Sequence, residues 1–222
     1  MAFANYSLGQ IFETLIVPAL WVTLQMVFWS GVFGTILGFV IGIVLVLTEK
    51  GGLCENVVVH RILDVIVNIV RSFPFIILMI SIIPFTRLVV GTSIGNTAAL
   101  VPLTVAAAPF IGRIIQNALQ EVDPELIEAA KSFGASKSQI VFRMMLKEAV
   151  PSIVSGLTLA IINLLSCTAM AGAVGAGGLG AIALTYGYQN FNETIMYSIC
   201  AILVLLVAII QYFGDFLYKK LK

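Results

Sequence analysis

From residue 20 to residue 47 the chain carries no charged side chain. A helix needs about 20 apolar residues to cross the hydrocarbon core of a bilayer. Four further stretches have the same character: the apolar part of 62–84, then 96–111, 153–171 and 194–214. They predict an all-α membrane protein with about five transmembrane helices, folded as a single transmembrane domain over 1–222. Composition agrees, since 60% of the 222 residues are hydrophobic and 10% are charged. Soluble domains run at roughly 45–50% and about 25%. A soluble globular domain, a disordered chain and a fibre are excluded. The length of the stretches, and the lack of alternation within them, argue against strands.

Basic residues orient the spans. With the N-terminus outside, five crossings leave three segments in the cytoplasm: 49–61, 113–150 and the tail after Asp215. These hold 10 of the 12 Lys and Arg residues. Arg87 falls outside and Arg71 lies within the second helix. The positive-inside rule therefore predicts an outer N-terminus and a cytoplasmic C-terminus. Met1 to Thr14 contain no Lys or Arg, so a cleavable signal with a basic start is not expected. The net charge of +1 suggests no nucleic-acid partner. Cys54, Cys167 and Cys200 are odd in number and lack metal spacing, so neither a disulfide framework nor a zinc site is inferred.

Gly34, Gly38 and Gly42 recur every fourth residue in the first span. Small residues on one helix face let a neighbouring backbone approach, although glycine is also simply tolerated in membrane helices. No internal repeat is visible.

Residues 113–150 form the longest polar segment. Asp123 fits an N-cap and Pro124 the first helical position. Leu126, Ile127 and Ala130 follow at helical spacing. Gly134 stands where a helix end favours a left-handed residue. Ser136 with Gln139 makes a capping box that restarts a helix towards Pro151, which can open the fourth span. Ala129 and Ala130 give the short helix a small face, and Glu125, Glu128 and Lys131 a charged rim. Such a helix suits a groove on a soluble partner or, alternatively, the membrane surface.

Glu128-Ala129-Ala130-Lys131-Ser132-Phe133-Gly134 resembles the EAA-three-residues-Gly signature of ABC-importer permease subunits. Met144 and Lys147 depart from the fuller pattern, where Ile and Pro are usual. Further segments are similar to methionine importer permeases: Arg71 to Ile76, Ile83 to Arg87, Val101 to Thr104, Ala108 to Ile111, Ala169 to Gly180, and Tyr186 to Tyr188. The resemblance implies that Glu125, Glu128, Ala129, Ala130, Lys131, Gly134 and Ala135 couple to an ATPase. It implies a gate and substrate path at Met170, Gly172 and Gly175. It also implies a second copy of the chain, two cytoplasmic ATPase subunits, an external substrate-binding protein, and a bacterial inner-membrane setting. The chain itself would carry no cofactor, ATP and Mg belonging to the ATPase.

Several patterns have competing readings. Residues 175–180 satisfy G-x-G-x-x-G, but a dinucleotide site needs a strand before the run and a helix after it. Irregular backbone at membrane depth fits better. No G-x-x-x-x-G-K-[ST] run occurs, so no P-loop is expected. His60, the lone histidine, reads as an interface residue. Asp64, Asn68 and Arg71 share one helix face, as a structural polar seam or as part of the inner mouth of a path. Met170 lies among Ala169, Ala171 and Gly172, so its thioether could plug a narrow passage or fill the core.

Five helices are few to enclose a path, which makes a symmetric dimer plausible. The spans lack a clear midplane carboxylate for proton coupling. Taken with the resemblance, which implies ATP drive, methionine and alternating access, the expected function is the permease of an ATP-driven importer moving methionine. A permease for another small solute such as a polar amino acid, a passive channel and a membrane-embedded enzyme are the alternatives.

Overall fold

The computed structural model describes residues 8–222, and every regular element among them is helical. Of the N-terminal stretch to Thr14, residues 1–7 lie outside the described residues. A first turn, Leu8–Ile11, leads into helix α1 (Phe12–Thr48), which begins well before residue 20. Helix α2 (Val57–Ser72) opens at Asn56, whose side chain accepts the Val59 N–H at 3.1 Å. Helices α3 (Phe75–Ser81) and α4 (Ile83–Val90) follow. Then come α5 (Asn96–Gln120), α6 (Pro124–Ser132) and α7 (Lys137–Ala176). Helix α8 (Gly178–Ile182) continues through wider turns over Ala183–Gln189, and α9 (Glu193–Leu221) ends the chain.

By length and hydropathy α1, α5, α7 and α9 can each cross a membrane, and α2 with α3 forms a bent fifth span. About five spans are thus present, but 62–84 is not one helix. The chain bends by 108° between α2 and α3. Pro74 has no N–H to continue the ladder, and it forces the residue before it out of the helical region. Phe73 and Pro74 accordingly take ψ of 130° and 135°.

Helix α5 is the hub. Over half of its most apolar window, 56%, is buried, against 11% for α9. Pro102 and Pro109 lie inside it and are buried. Helix α1 reaches α5 through its glycine stripe. A Cβ on Gly38 would stand 2.8 Å from the Ala108 carbonyl oxygen, and one on Gly42 2.7 Å from that of Gly112. The stripe is therefore a contact surface, not merely tolerated glycine.

A polar cluster ties α2 to α5. Arg113, expected at the start of the polar segment, instead lies within α5. Its guanidinium donates to Asp64 at 2.5 Å, Asn68 at 3.0 Å and Gln116 at 2.7 Å. Asn68 donates in turn to Asp64 at 3.0 Å. Two members of the predicted seam are thus a structural clamp.

Helix α7 starts at the predicted capping box. Ser136 Oγ accepts the Gln139 N–H at 3.3 Å, and Gln139 Oε1 accepts the Ser136 N–H at 2.8 Å. The helix then runs through wider turns over Ile140–Met145 and straight past Pro151. Pro151 opens no new span, because the helix capped at Ser136 absorbs the single lost hydrogen bond.

These contacts set an expectation for Gly38→Val. The added side chain meets backbone, which cannot rotate away, so overpacking should cost about 1–3 kcal/mol. Gly31→Ala is the control, since its Cβ would make an ordinary 3.7 Å contact with Leu164. Thermal unfolding of the detergent-purified protein should show a lower midpoint for Gly38→Val and an unchanged or higher one for Gly31→Ala.

Candidate functional site

The short helix α6 stands at one end of the bundle with both ends capped as the sequence predicts. The Asp123 side chain accepts the Glu125 N–H at 2.9 Å. At the other end Gly134 takes φ 74°. Its N–H donates to Lys131 O and that of Ala135 to Ala130 O, both at 3.0 Å. This paired arrangement is a Schellman motif, and it turns the chain sharply away from the helix axis.

The residues implicated in coupling divide into two groups. Glu125, Glu128, Ala129, Lys131 and Gly134 are exposed. Ala130 and Ala135 are half-buried and, with Ile127, pack against the main core. Helix α6 is therefore anchored by one side and presents the other. Phe133, which the sequence reading did not single out, is 91% exposed. An aromatic ring held at the tip of a polar turn has no packing role within the chain. The available signal was an aromatic residue inside an otherwise polar segment. A shallow concavity between α6 and the start of α7 lies beside it, lined by Ala130, Phe133, Ala135, Arg143 and Met144.

Towards the middle of the bundle a cavity of about 530 Å³ opens between α2, α3, α5 and α7. The Pro74 break makes room for it, because Phe73, Pro74 and Phe75 form part of its wall. Met170 lines it and is 48% exposed. Asn163 and Ser166, on the same face of α7, line it too. Arg71 faces them from the last turn of α2, its guanidinium 6.0 Å from the centroid of the Phe110 ring.

The other two path candidates are not in this cavity. Gly172 is buried, and a Cβ there would strike the backbone of Gly180 and Ala181. Gly175 has φ 93°, and its carbonyl accepts the Gly95 N–H at 3.0 Å. Gly178 packs on Thr23, whose hydroxyl accepts the Leu179 N–H at 2.9 Å. The glycine-rich run thus makes the turn from α7 into α8 beside α1 and the 91–95 loop, with Gly178 buried and Gly175 exposed. It brings α8 back against the end of α7. Among the described residues no strand precedes it. No cluster of three potential metal ligands occurs among them either.

Comparison with known proteins agrees with this architecture. The probable D-methionine transport system permease protein MetI of Vibrio cholerae is 48% identical over 206 residues, covering 93% of this chain and 92% of that one. The methionine import system permease protein MetP of Bacillus subtilis is 44% identical, with 77% of each chain covered. A chain of the MetNI methionine ABC transporter, solved in inward-facing conformations, superposes with a TM-score of 0.94 at 46% identity. That match covers 98% of this chain and all of the other. Residues 51–222 match the binding-protein-dependent transport system inner membrane component. This chain belongs to that family of inner-membrane transport permeases.

Proposed function

We propose that this chain is the membrane permease of an ATP-driven methionine importer, working as two copies with two cytoplasmic ATPase subunits and an extracytoplasmic binding protein. One observation carries the reading. The helix Pro124–Ser132, which carries most of the Glu128 to Gly134 segment, is anchored, capped at both ends and followed directly by an exposed Phe133. That is the shape of a docking element, and its sequence is the importer signature. The choice of methionine is supported by the likeness to permeases so named. The ten-to-one bias of flanking charges supports an outer N-terminus and a cytoplasmic C-terminus. ATP and Mg belong to the ATPase in this reading, since this sequence carries no P-loop.

Phe133 fills a pocket on the ATPase, while Glu125, Glu128 and Lys131 fix its register. Closure of the ATPase pair draws in α6. Helix α7 follows, because only the turn from Phe133 to Ser136 separates the two. Rigid-body motion of the two permeases then alternates the access of the central path. Met170, projecting from α7 into the cavity, closes that path in the inward-facing state, as an apolar constriction that excludes water.

Three tests follow from this arrangement. Phe133→Ala should lower co-purification of the ATPase by about tenfold, as removal of an interface anchor does. Gly134→Val forces a β-branched residue into the left-handed region, at about 1–3 kcal/mol. No atom would touch the new Cβ, so the cost is conformational and Gly134→Asn should be better tolerated. ATP-dependent methionine uptake in vesicles reconstituted with ATPase and binding protein should fall with Phe133→Ala and Gly134→Val. Unchanged assembly and uptake in both would overturn the docking role, and no methionine uptake by the parent complex would overturn the substrate.

Met170→Ala should preserve assembly but permit solute leakage without ATP, or lower the uptake per ATP hydrolysed. Parent-like values for both would make Met170 a filler.

A Cys placed at Lys220 should resist a membrane-impermeant thiol reagent in intact cells, and its modification would reverse the orientation.

A further inference from the structure

The face that carries Asp64, Asn68 and Arg71 divides in the folded chain. Asp64 and Asn68 are satisfied by Arg113. Arg71, one turn further on, is left over. Among the described residues its guanidinium has no carboxylate and no hydrogen-bond partner, only the ring of Phe110. An arginine within a membrane domain is costly unless it faces a watery cavity or meets a partner, and such residues mark ligand paths. Arg71 faces the 530 Å³ cavity, whose lining includes no acidic residue. The cavity therefore carries an uncompensated positive charge. Its volume lies within the range of small-molecule sites, about 300–1,000 Å³.

The opposite wall is complementary in kind. Asn163, Ser166 and Met170 follow one another at spacings of three and four on α7, all exposed to the cavity. The Asn163 amide has no partner among the described residues. The Ser166 hydroxyl donates to Ile162 O at 3.3 Å, which leaves its oxygen free to accept. Phe110 and Phe73 supply apolar surface between the two walls. The arrangement has one anion site, two acceptors across from it and an apolar bed.

We propose that Arg71 binds the carboxylate of an amino acid in transit. Its α-ammonium group donates to Asn163 Oδ1 and Ser166 Oγ, and its uncharged side chain lies against Phe110, Phe73 and Met170. The guanidinium fork suits a carboxylate held through two parallel hydrogen bonds. Amino acids with a cationic side chain are disfavoured, because they place a second positive charge in a cavity that already holds one. This inference rests on the importer reading and adds to it a substrate site within the permease.

The test uses the assembled permease–ATPase complex. Ala106, half-buried in the cavity wall and outside the polar set, is replaced by Cys after Cys54, Cys167 and Cys200 are changed to Ala. The rate of maleimide labelling at position 106 is measured with methionine, with methioninol (which lacks the carboxylate) and with lysine. Methionine should slow labelling, while methioninol and lysine should not. Arg71→Gln should raise the methionine needed for protection by about tenfold or more, the usual effect of losing a charge-assisted pair. Arg71→Lys should fall between. ATPase co-purification should hold in both variants, which reports folding separately. Equal protection by methioninol, undiminished protection in Arg71→Gln, or no protection of the parent by any amino acid would overturn the site. If methionine uptake also persists at the parent rate in Arg71→Gln, the site falls while the methionine reading stands. If a different uncharged amino acid protects through Arg71 and methionine does not, the site stands and the methionine reading falls.

Discussion

Apolar side chains gain little by exchanging lipid for protein, so helices in a bilayer are held together by close packing and by polar contacts. In this chain the decisive close packing is between α1 and α5. Gly38 and Gly42 bring the α1 backbone against the carbonyls of Ala108 and Gly112, a distance no side chain would permit. Once α5 is fixed there, its other sides are available to α2, through Arg113, and to α7, through the core around Leu103, Ile111 and Leu164. The outward faces of α1 and α9 keep Trp21, Phe28, Val204 and Phe213 exposed. Those side chains suit lipid and contribute nothing to the interior.

The features that could support transport lie where the regular helices fail. Pro74 ends α2 and swings α3 through 108°, which leaves a cavity instead of a packed interface. The positive-φ glycines 175, 177 and 178 break the chain at the end of α7 and return α8 against it. Breaks at membrane depth are tolerated only if the freed backbone groups find partners. Here Thr23 accepts the Leu179 N–H and Gly175 O accepts that of Gly95. A sequence that only needed to fill a bilayer would have no use for either break.

Much of this was legible in the residues. Long apolar stretches give the spans, because a bilayer imposes length and polarity together. Local hydrogen-bonding chemistry gives the ends of α6 and the start of α7, because Asp123, Gly134, Ser136 and Gln139 act on neighbours only a few residues away. The partner of Asp64 was not legible. Arg113 is far away in sequence, and its charge made it resemble the beginning of a polar loop. The division of Asp64 and Asn68 from Arg71 was hidden for the same reason, since a helix face shows which residues are neighbours but not what lies opposite. The bend at Pro74 was legible in principle, because proline restricts its predecessor wherever it occurs. A reading driven by hydropathy passed over it, as Phe73 and Phe75 keep the stretch apolar. Gly172 and Gly175 stand near Met170 in sequence, but the turn they make carries them out of the cavity that Met170 lines.

The continuity of α7 gives the proposed importer its mechanical logic. One helix runs from the capping box at Ser136, beside the docking element, to Met170 in the cavity. At 1.5 Å per residue that is a rod of about 50 Å. The Schellman turn at Gly134 is closed by its own backbone hydrogen bonds, and Ala130 and Ala135 pack against the core on either side of it. Force applied to α6 therefore has little slack to consume before it reaches α7. Had Pro151 broken the helix, as a proline between two membrane segments could, the docking element and Met170 would sit on separate bodies joined by a hinge. Because the helix absorbs Pro151, a displacement at one end must appear at the other. Asn163 and Ser166 share the same rod, so motion that withdraws Met170 also carries these two side chains relative to Arg71 on α2. In the proposed importer, a gate at Met170 and one wall of the cavity lie on a single helix and the opposing cation on another, so one movement would change access and the fit of the cavity together.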